Sequence, residues 1–181
     1  MTGFNDQHNC RLYKIRRSRI HGRGAFALTT IRKGQQITEY IGERIGPDLE
    51  TKRYNEDNME SHHTFLFSID DYTTIDGGVG GNDARYINHS CDPNCEALDR
   101  GGRIFIHAMR TIRRGEELNY DYQFAAPGRI TKSLREFYVC RCGTKKCRGT
   151  ILAVKPSHNG NGKASRHPGR HAEHTRTKRS N

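Results

Sequence analysis

No stretch of this sequence approaches the run of about 18 apolar residues that a membrane-spanning helix needs. Its start, "MTGFNDQHNC", lacks the apolar core of an export signal. Large apolar side chains are scarce too: hydrophobic residues make up 33% of the 181, mean hydropathy is −0.92, and beyond Val154 there are almost none. These shortages argue against a membrane partner and against a second domain, and they confine the core to about Arg11–Val154. The expectation is a soluble, intracellular, monomeric chain of one domain with a tail.

Disulfides are also disfavoured. Cys10 stands alone, Cys91 and Cys95 lie close together, and Cys140, Cys142 and Cys147 crowd into eight residues. That distribution suits a reducing compartment and a metal rather than three bridges. Acidic residues are few, 20 against 31 Lys and Arg, and the net charge of +11 is unevenly placed. From Lys155 to the end, seven Lys/Arg face a single Glu. Residues 155–181 therefore read as a basic, disordered tail, either solvating or in weak contact with nucleic acid, and residues 1–10 as a disordered N-terminus.

The body reads as short strands between glycine turns, at 11–18, 24–28, 36–43, 64–70, 73–76, 103–110 and 117–122, rich in β-branched and aromatic residues. Helices are expected from Pro47 over "PDLETKRYNEDN" and over "TKSLREFYV" (131–139). The chain also echoes itself, "TIRKGQQI" (30–37) against "TIRRGEEL" (111–118), at an offset of 81 residues. Two convergent turn-strand units explain this better than a duplicated domain, with glycine supplying positive φ in each turn.

"YVCRCGTKKCRG" (138–149) offers Cys140, Cys142 and Cys147 at C-x-C-x4-C spacing, one short of a closed tetrahedral zinc site. Cys10, Cys91, Cys95 or a histidine can supply the fourth ligand. "ARYINHSCDPNCEA" (84–97) is the densest polar constellation, and a metal bridge to it would join segments about 50 residues apart.

Taken together, "HGRGAFA" (21–27), "EYIGE" (39–43), "IDGGVGGNDARYINHSCDPNC" (75–95), "ELNYDY" (117–122) and "CRCGTKKCRG" (140–149) resemble, in this order, the SET domain of protein lysine methyltransferases with its post-SET zinc segment. The resemblance implies a mainly β, β-clip fold of small twisted sheets with short helices and a knot-like core. It places a SET domain at 11–125, with a variable insert at about 43–63, and a post-SET segment at 126–154. It also implies roles. Gly22, Arg23 and Gly24 would approach S-adenosylmethionine through their backbone, with Tyr40, Arg85, Asn88, His89 and Leu152 completing its site. Tyr122 would be the catalytic tyrosine and Tyr120 the switch beside a lysine channel lined by Phe65, Phe67 and Tyr120. Zn2+ would sit on Cys91, Cys140, Cys142 and Cys147, with Cys95 as the alternative to Cys91.

The implied reaction needs few titratable groups. Attack on a sulfonium methyl requires a neutral lysine, whose free pKa is about 10.4. A nearby positive sulfonium and an apolar channel both disfavour the charged amine. Positioning does much of the rest, and Tyr122 orients rather than acts as a full base. Tyr120 favours one or two methyl groups. Phe65 departs from a tyrosine that the family often carries there, which removes a hydroxyl from the channel.

Glu43, Asp48, Glu50, Glu56, Asp57 and Glu60 make the insert acidic in a basic chain. With the resemblance, this points to a basic, lysine-containing, histone-like substrate laid as an extra strand. The rivals are a non-catalytic zinc-stabilised module that binds histone or nucleic acid, and a methyltransferase of a ribosomal or DNA-packing protein. Location follows substrate: the cytoplasm for a bacterial protein, the nucleus or chromosome for one acting on chromatin.

Overall fold

Among the described residues glycine turns divide the chain into strands of two to six residues, too short for one large sheet, and these assemble as four small ones. The computed structural model describes residues 11–54, 64–126 and 129–153. The expected N-terminus, tail, later part of the insert and Cys10 lie outside them. Among the described residues no helix is long and apolar enough to cross a membrane.

Strands β1 (Tyr13–Arg17) and β2 (Arg23–Ala27) form an antiparallel hairpin. β3 (Gln36–Tyr40) pairs with β9 (Arg103–Ala108), which pairs in turn with β8 (Cys95–Arg100). β4 (Glu43–Ile45) and β5 (Leu66–Ser68) flank β6 (Thr74–Asp76). β7 (Asn88–His89) and β10 (Asn119–Tyr120) make a parallel pair of two residues each. Mainly β architecture with small sheets is the expected fold class.

Alternation in β9 turns Ile104, Ile106 and Ala108 inward, where they meet Ala25, Ile31, Ile112 and Leu118, all essentially solvent-free. Helix α1 (Pro47–Arg53) has proline in its first turn, Asp48 and Glu50 near its start and Lys52 and Arg53 at its end, as the helix dipole favours. It is fastened to β6 through buried Asp76, whose carboxylate accepts from Arg53 (2.9 Å), Tyr54 (2.8 Å) and the Gly78 N–H (2.9 Å). Helix α2 (Lys132–Phe137) is capped by the Thr131 hydroxyl, which accepts from the Leu134 N–H at 3.1 Å.

The echoed turns are one structure. Ile31 and Ile112 exchange backbone hydrogen bonds of 2.9 Å in both directions. Gly34 N–H donates to the Ala108 carbonyl (2.7 Å) and Gly115 N–H to the Ala27 carbonyl (2.8 Å), while Ala27 and Ala108 N–H donate back to Glu116 and Gln35. Side chains obey the same rule: Gln35 accepts from Arg32 N–H and Glu116 from Arg113 N–H, both at 3.0 Å. Both glycines have positive φ, 77° and 89°, which a side chain would strain. The equivalence is local, because β3 then pairs antiparallel with β9 whereas β10 pairs parallel with β7.

Candidate active site and cysteine cluster

Parallel pairing of β7 with β10 sets Asn88 beside Asn119 and His89 beside Tyr120. Cross-bonds between Asn94 and Asn119 (3.2 and 3.0 Å) and from Asn94 Nδ2 to the Glu117 carbonyl (2.8 Å) lock the two segments together. Tyr120 and Tyr122, two apart, bring their rings to 4.9 Å. Tyr120 lies 6.1 Å from Phe67, which lies 5.5 Å from Tyr40. Four aromatic rings thus form one cluster. Burial holds the phenols of Tyr40, Tyr120 and Tyr122 above their ordinary pKa, so all three stay neutral hydroxyls at physiological pH.

Tyr122 is held at both ends. Its hydroxyl donates to the Ile87 carbonyl at 2.9 Å, and its N–H donates to His89 Nδ1 at 3.1 Å. Because Nδ1 accepts, the proton of neutral His89 resides on Nε2, 3.4 Å from Cys91 Sγ. Burial pushes the imidazole pKa down, so its 3.5 Å approach to Asp121 is not a charged pair.

Ile87 is flanked by residues of a cleft lined by His21, Gly22 and Arg23 together with Phe65, Arg85, Tyr86 and Asn88. Phe65 turns its ring to Tyr86 (5.6 Å) and Arg85 (5.5 Å), on the cleft side, while its carbonyl accepts from the Tyr40 hydroxyl at 2.7 Å. Burial raises the Tyr86 phenol pKa, but the Arg85 and Arg23 guanidiniums outweigh it and the net shift is downward. Arg85 donates to the Gly77 carbonyl and the Tyr86 hydroxyl, both at 3.0 Å, yet its buried Nε has no partner among the described residues. Such a donor beside an open cleft suits a polar ligand.

Glu117 joins this cleft to the hairpin. Its Oε1 accepts from Ser18 Oγ (2.7 Å) and Asn88 Nδ2 (2.9 Å), and Asn88 also donates to the Arg23 carbonyl (2.8 Å). A Cβ on Gly24 would stand 2.2 Å from that carboxylate. Glycine at 24 therefore answers first to Glu117. At Gly22, where φ is +39°, nothing lies within 4 Å of such a Cβ.

Sγ atoms of Cys91, Cys140, Cys142 and Cys147 all lie within 4.8 Å of one another. Cys91 and Cys140 are 3.6 Å apart, against about 3.8 Å for sulfurs around a tetrahedral zinc with bonds of about 2.3 Å. N–H groups of Arg148, Cys142 and Gly149 point at the sulfurs of Cys91, Cys140 and Cys147 (3.4–3.5 Å), a geometry that favours thiolates. Burial raises Cys142, but hydrogen bonds led by the Thr144 hydroxyl bring its pKa down to about 6, while burial keeps Cys140 and Cys91 high. The set can hold a metal. Cys95 is elsewhere, buried in β8 against Asn94 Oδ1 at 3.3 Å, its thiol pushed up to about 12 by burial.

Arg148, which follows the last cysteine, grips Asp121 with two bonds of 2.6 Å and donates to the carbonyls of Leu152 (3.0 Å) and Ile151 (3.3 Å). Leu152 is buried, and its backbone bridges Phe124. Glu117, Asp121 and Arg148 were not singled out from the sequence, although each lies inside a quoted motif. A charge within a polar motif reads as solvated unless its partner, here 27 residues away or more for Asp121 and Asn88, is known.

The sequence profile described as "SET domain" matches residues 22–123. Among curated proteins, the histone-lysine N-methyltransferase trithorax of Drosophila virilis is 41% identical over 136 residues, 73% of this chain and 3% of that protein. An H3 lysine-4 specific histone-lysine N-methyltransferase of Saccharomyces cerevisiae is 42% identical over 142 residues, 75% and 13% respectively. Human histone-lysine N-methyltransferase 2B is 39% identical over 138 residues, 74% and 5%. The chain thus corresponds to a small part of each of these relatives. Its profile match covers more than half of the 181 residues and contains the β7–β10 pair and the tyrosines set on it: the chain belongs to the SET domain family.

Proposed function

We propose that this chain is an S-adenosylmethionine-dependent protein-lysine N-methyltransferase acting on a basic, histone-like segment. The observation that carries the reading is the Tyr122 hydroxyl anchored on the carbonyl of Ile87, whose chain neighbours Tyr86 and Asn88 line the cleft. When bound, S-adenosylmethionine supplies a methyl group on a positive sulfur. The cleft of Gly22, Arg23, Arg85 and Asn88 would hold it, with His89, Leu152 and Tyr40 as further contacts.

On the other side, Tyr40, Phe67, Tyr120 and Tyr122 would take the lysine side chain. Burial among these rings, together with the positive sulfur, would disfavour the ammonium form and bring its pKa down from about 10.4. Tyr122, a neutral phenol whose proton is committed to Ile87, keeps its oxygen lone pairs for the amine and so sets the direction of attack. Tyr120, buried in the same cluster, limits the space for added methyl groups and favours mono- or dimethylation. Zinc on the four cysteines would hold 140–152 against β7, with His89 hydrogen-bonded to one of its thiolates. An organisation of SET domain, insert and post-SET segment at 11–125, 43–63 and 126–154 follows from these roles. Methylation of a histone would place the chain at the chromosome.

Incubation with labelled S-adenosylmethionine and core histones tests this, with mass spectrometry of methylated lysines after a whole-proteome reaction to reveal other substrates. Label on lysine is expected, reduced about 100-fold by Tyr122→Phe. No labelled lysine on any protein from a chain that still binds the cofactor would leave the binding-module reading instead.

A further inference from the structure

From Arg11 to Thr38 the sequence contains eight Lys and Arg and not one Asp or Glu. In the fold these residues form the hairpin β1–β2 and the first of the paired turns. Tyr13 and Ile15 face the core, so Lys14 and Arg16 face outward, followed by exposed Arg17 and Arg19. Arg16, Arg17 and Arg19 converge on one open cleft with Phe26, whose ring lies 4.2 Å beneath the Arg16 guanidinium. Glu117 also borders it, but its carboxylate is bound by Ser18 and Asn88. The face continues onto the turns, because Phe26 bridges Glu117, Gly115 bonds Ala27 and Ile31 bonds Ile112. That continuation adds exposed Arg113 and Arg114 on one turn and Arg32 and Lys33 on the other.

Several other cations of the body are spent internally: Arg53 on Glu43 and Asp76, Arg103 on Glu39, Arg148 on Asp121 and Lys146 on Asp92. Among the described residues, no salt bridge engages Lys14, Arg16, Arg17 or Arg19, nor the four cations on the turns. Mutual repulsion on one face is a standing cost that a polyanion removes.

We infer that the β1–β2 hairpin and the paired turns form a docking face for the phosphate backbone of duplex DNA. The one ring in the cleft is covered by Arg16, so single strands find no stacking platform, and a guanidinium cluster without base-reading geometry implies sequence-independent contact. Preference for DNA over duplex RNA rests on the histone reading above, since a histone tail is presented beside DNA. Position supports it, as the same end of the hairpin carries Gly22 and Arg23 of the cofactor cleft, Arg23 pairing with Arg17 across the strands.

Fluorescence anisotropy with a labelled 20-base-pair duplex, titrated with the full chain at several salt concentrations, provides the test. Each phosphate contact contributes about 0.9 to the slope of log K against log salt. Arg16→Ala/Arg17→Ala/Arg19→Ala should lower that slope by about 2.7 and weaken binding at 0.1 M salt by about two orders of magnitude. Arg113→Ala/Arg114→Ala, on a separate element, should lower it by about 1.8. Methylation of a free histone peptide should be unchanged in both. Slopes equal to wild type would assign all binding to the tail and overturn the inference, as would tighter binding to duplex RNA or to anionic lipid vesicles. DNA binding is read without turnover, so a chain that fails to methylate yet loses slope on substitution refutes the enzymatic reading and leaves this face standing.

Discussion

Replacing Arg148 by lysine tests how the C-terminal segment is held over the site. Arg148 places four side-chain hydrogen bonds: two of 2.6 Å on Asp121, one on Leu152 and one on Ile151. A lysine ammonium is a single point donor and can restore one of the bonds to Asp121. One charged and two carbonyl bonds are then lost. Both side chains are 20% exposed, so the pair lies between a solvated bridge worth less than about 1 kcal/mol and a buried one worth several. With net values near 1 kcal/mol per bond and water restoring part of the loss, the expected cost is about 2 kcal/mol, or about 30-fold in the opening equilibrium. Native-state hydrogen exchange reads this directly. Amides of Ile151 and Ala153, bonded to Tyr138 and Phe124, should exchange about 30-fold faster. Amides of Ile31 and Ile112, bonded to each other, should not change. Unaltered protection at Ile151 and Ala153, or equal loss at all four, would refute the reasoning.

Gly24→Ala should displace the Glu117 carboxylate from Ser18 and Asn88 and cost about 2 kcal/mol, measurable by urea unfolding and accompanied by weaker S-adenosylmethionine binding in calorimetry. Unchanged stability would mean that Glu117 swings aside freely. Ile112→Ala, at the centre of the paired turns, should cost about 2–5 kcal/mol with no change in the denaturant m-value. Purified chain should carry one zinc, released by a strong chelator or by Cys142→Ser, with loss of protection confined to about residues 138–153; absence of metal from a fully active preparation would contradict the role given to the four sulfurs.

Alternating apolar residues and glycine turns made most strands legible, including the hairpin and β9. Two failures have local causes. "QITEYIGE" reads as one strand, but the chain leaves its sheet at Gly42, where a Cβ would stand 2.3 Å from the Asp76 carbonyl, and Glu43–Ile45 joins another sheet. "CEALDR" has little strand propensity of its own, yet six consecutive pairings to β9 make it β8, since partner and burial outweigh intrinsic preference. Three sulfurs of the metal set were legible by spacing, while Cys91 entered through the resemblance rather than through any distance measurable along the chain. Asp121, Arg148 and Glu117 escaped because long-range charge pairing leaves no periodic signature.

Two residues from each strand make up the β7–β10 pair, and about 30 residues of chain, including the whole β8–β9 hairpin, separate its halves. So few interstrand bonds do not offset the entropy of closing such a loop. In kinetic terms the pair is expected to form after β8, β9 and the second turn are in place. Tyr122, Ile87 and Asn88 would then be the last groups to find one another, and a site of this design would itself report that folding has finished.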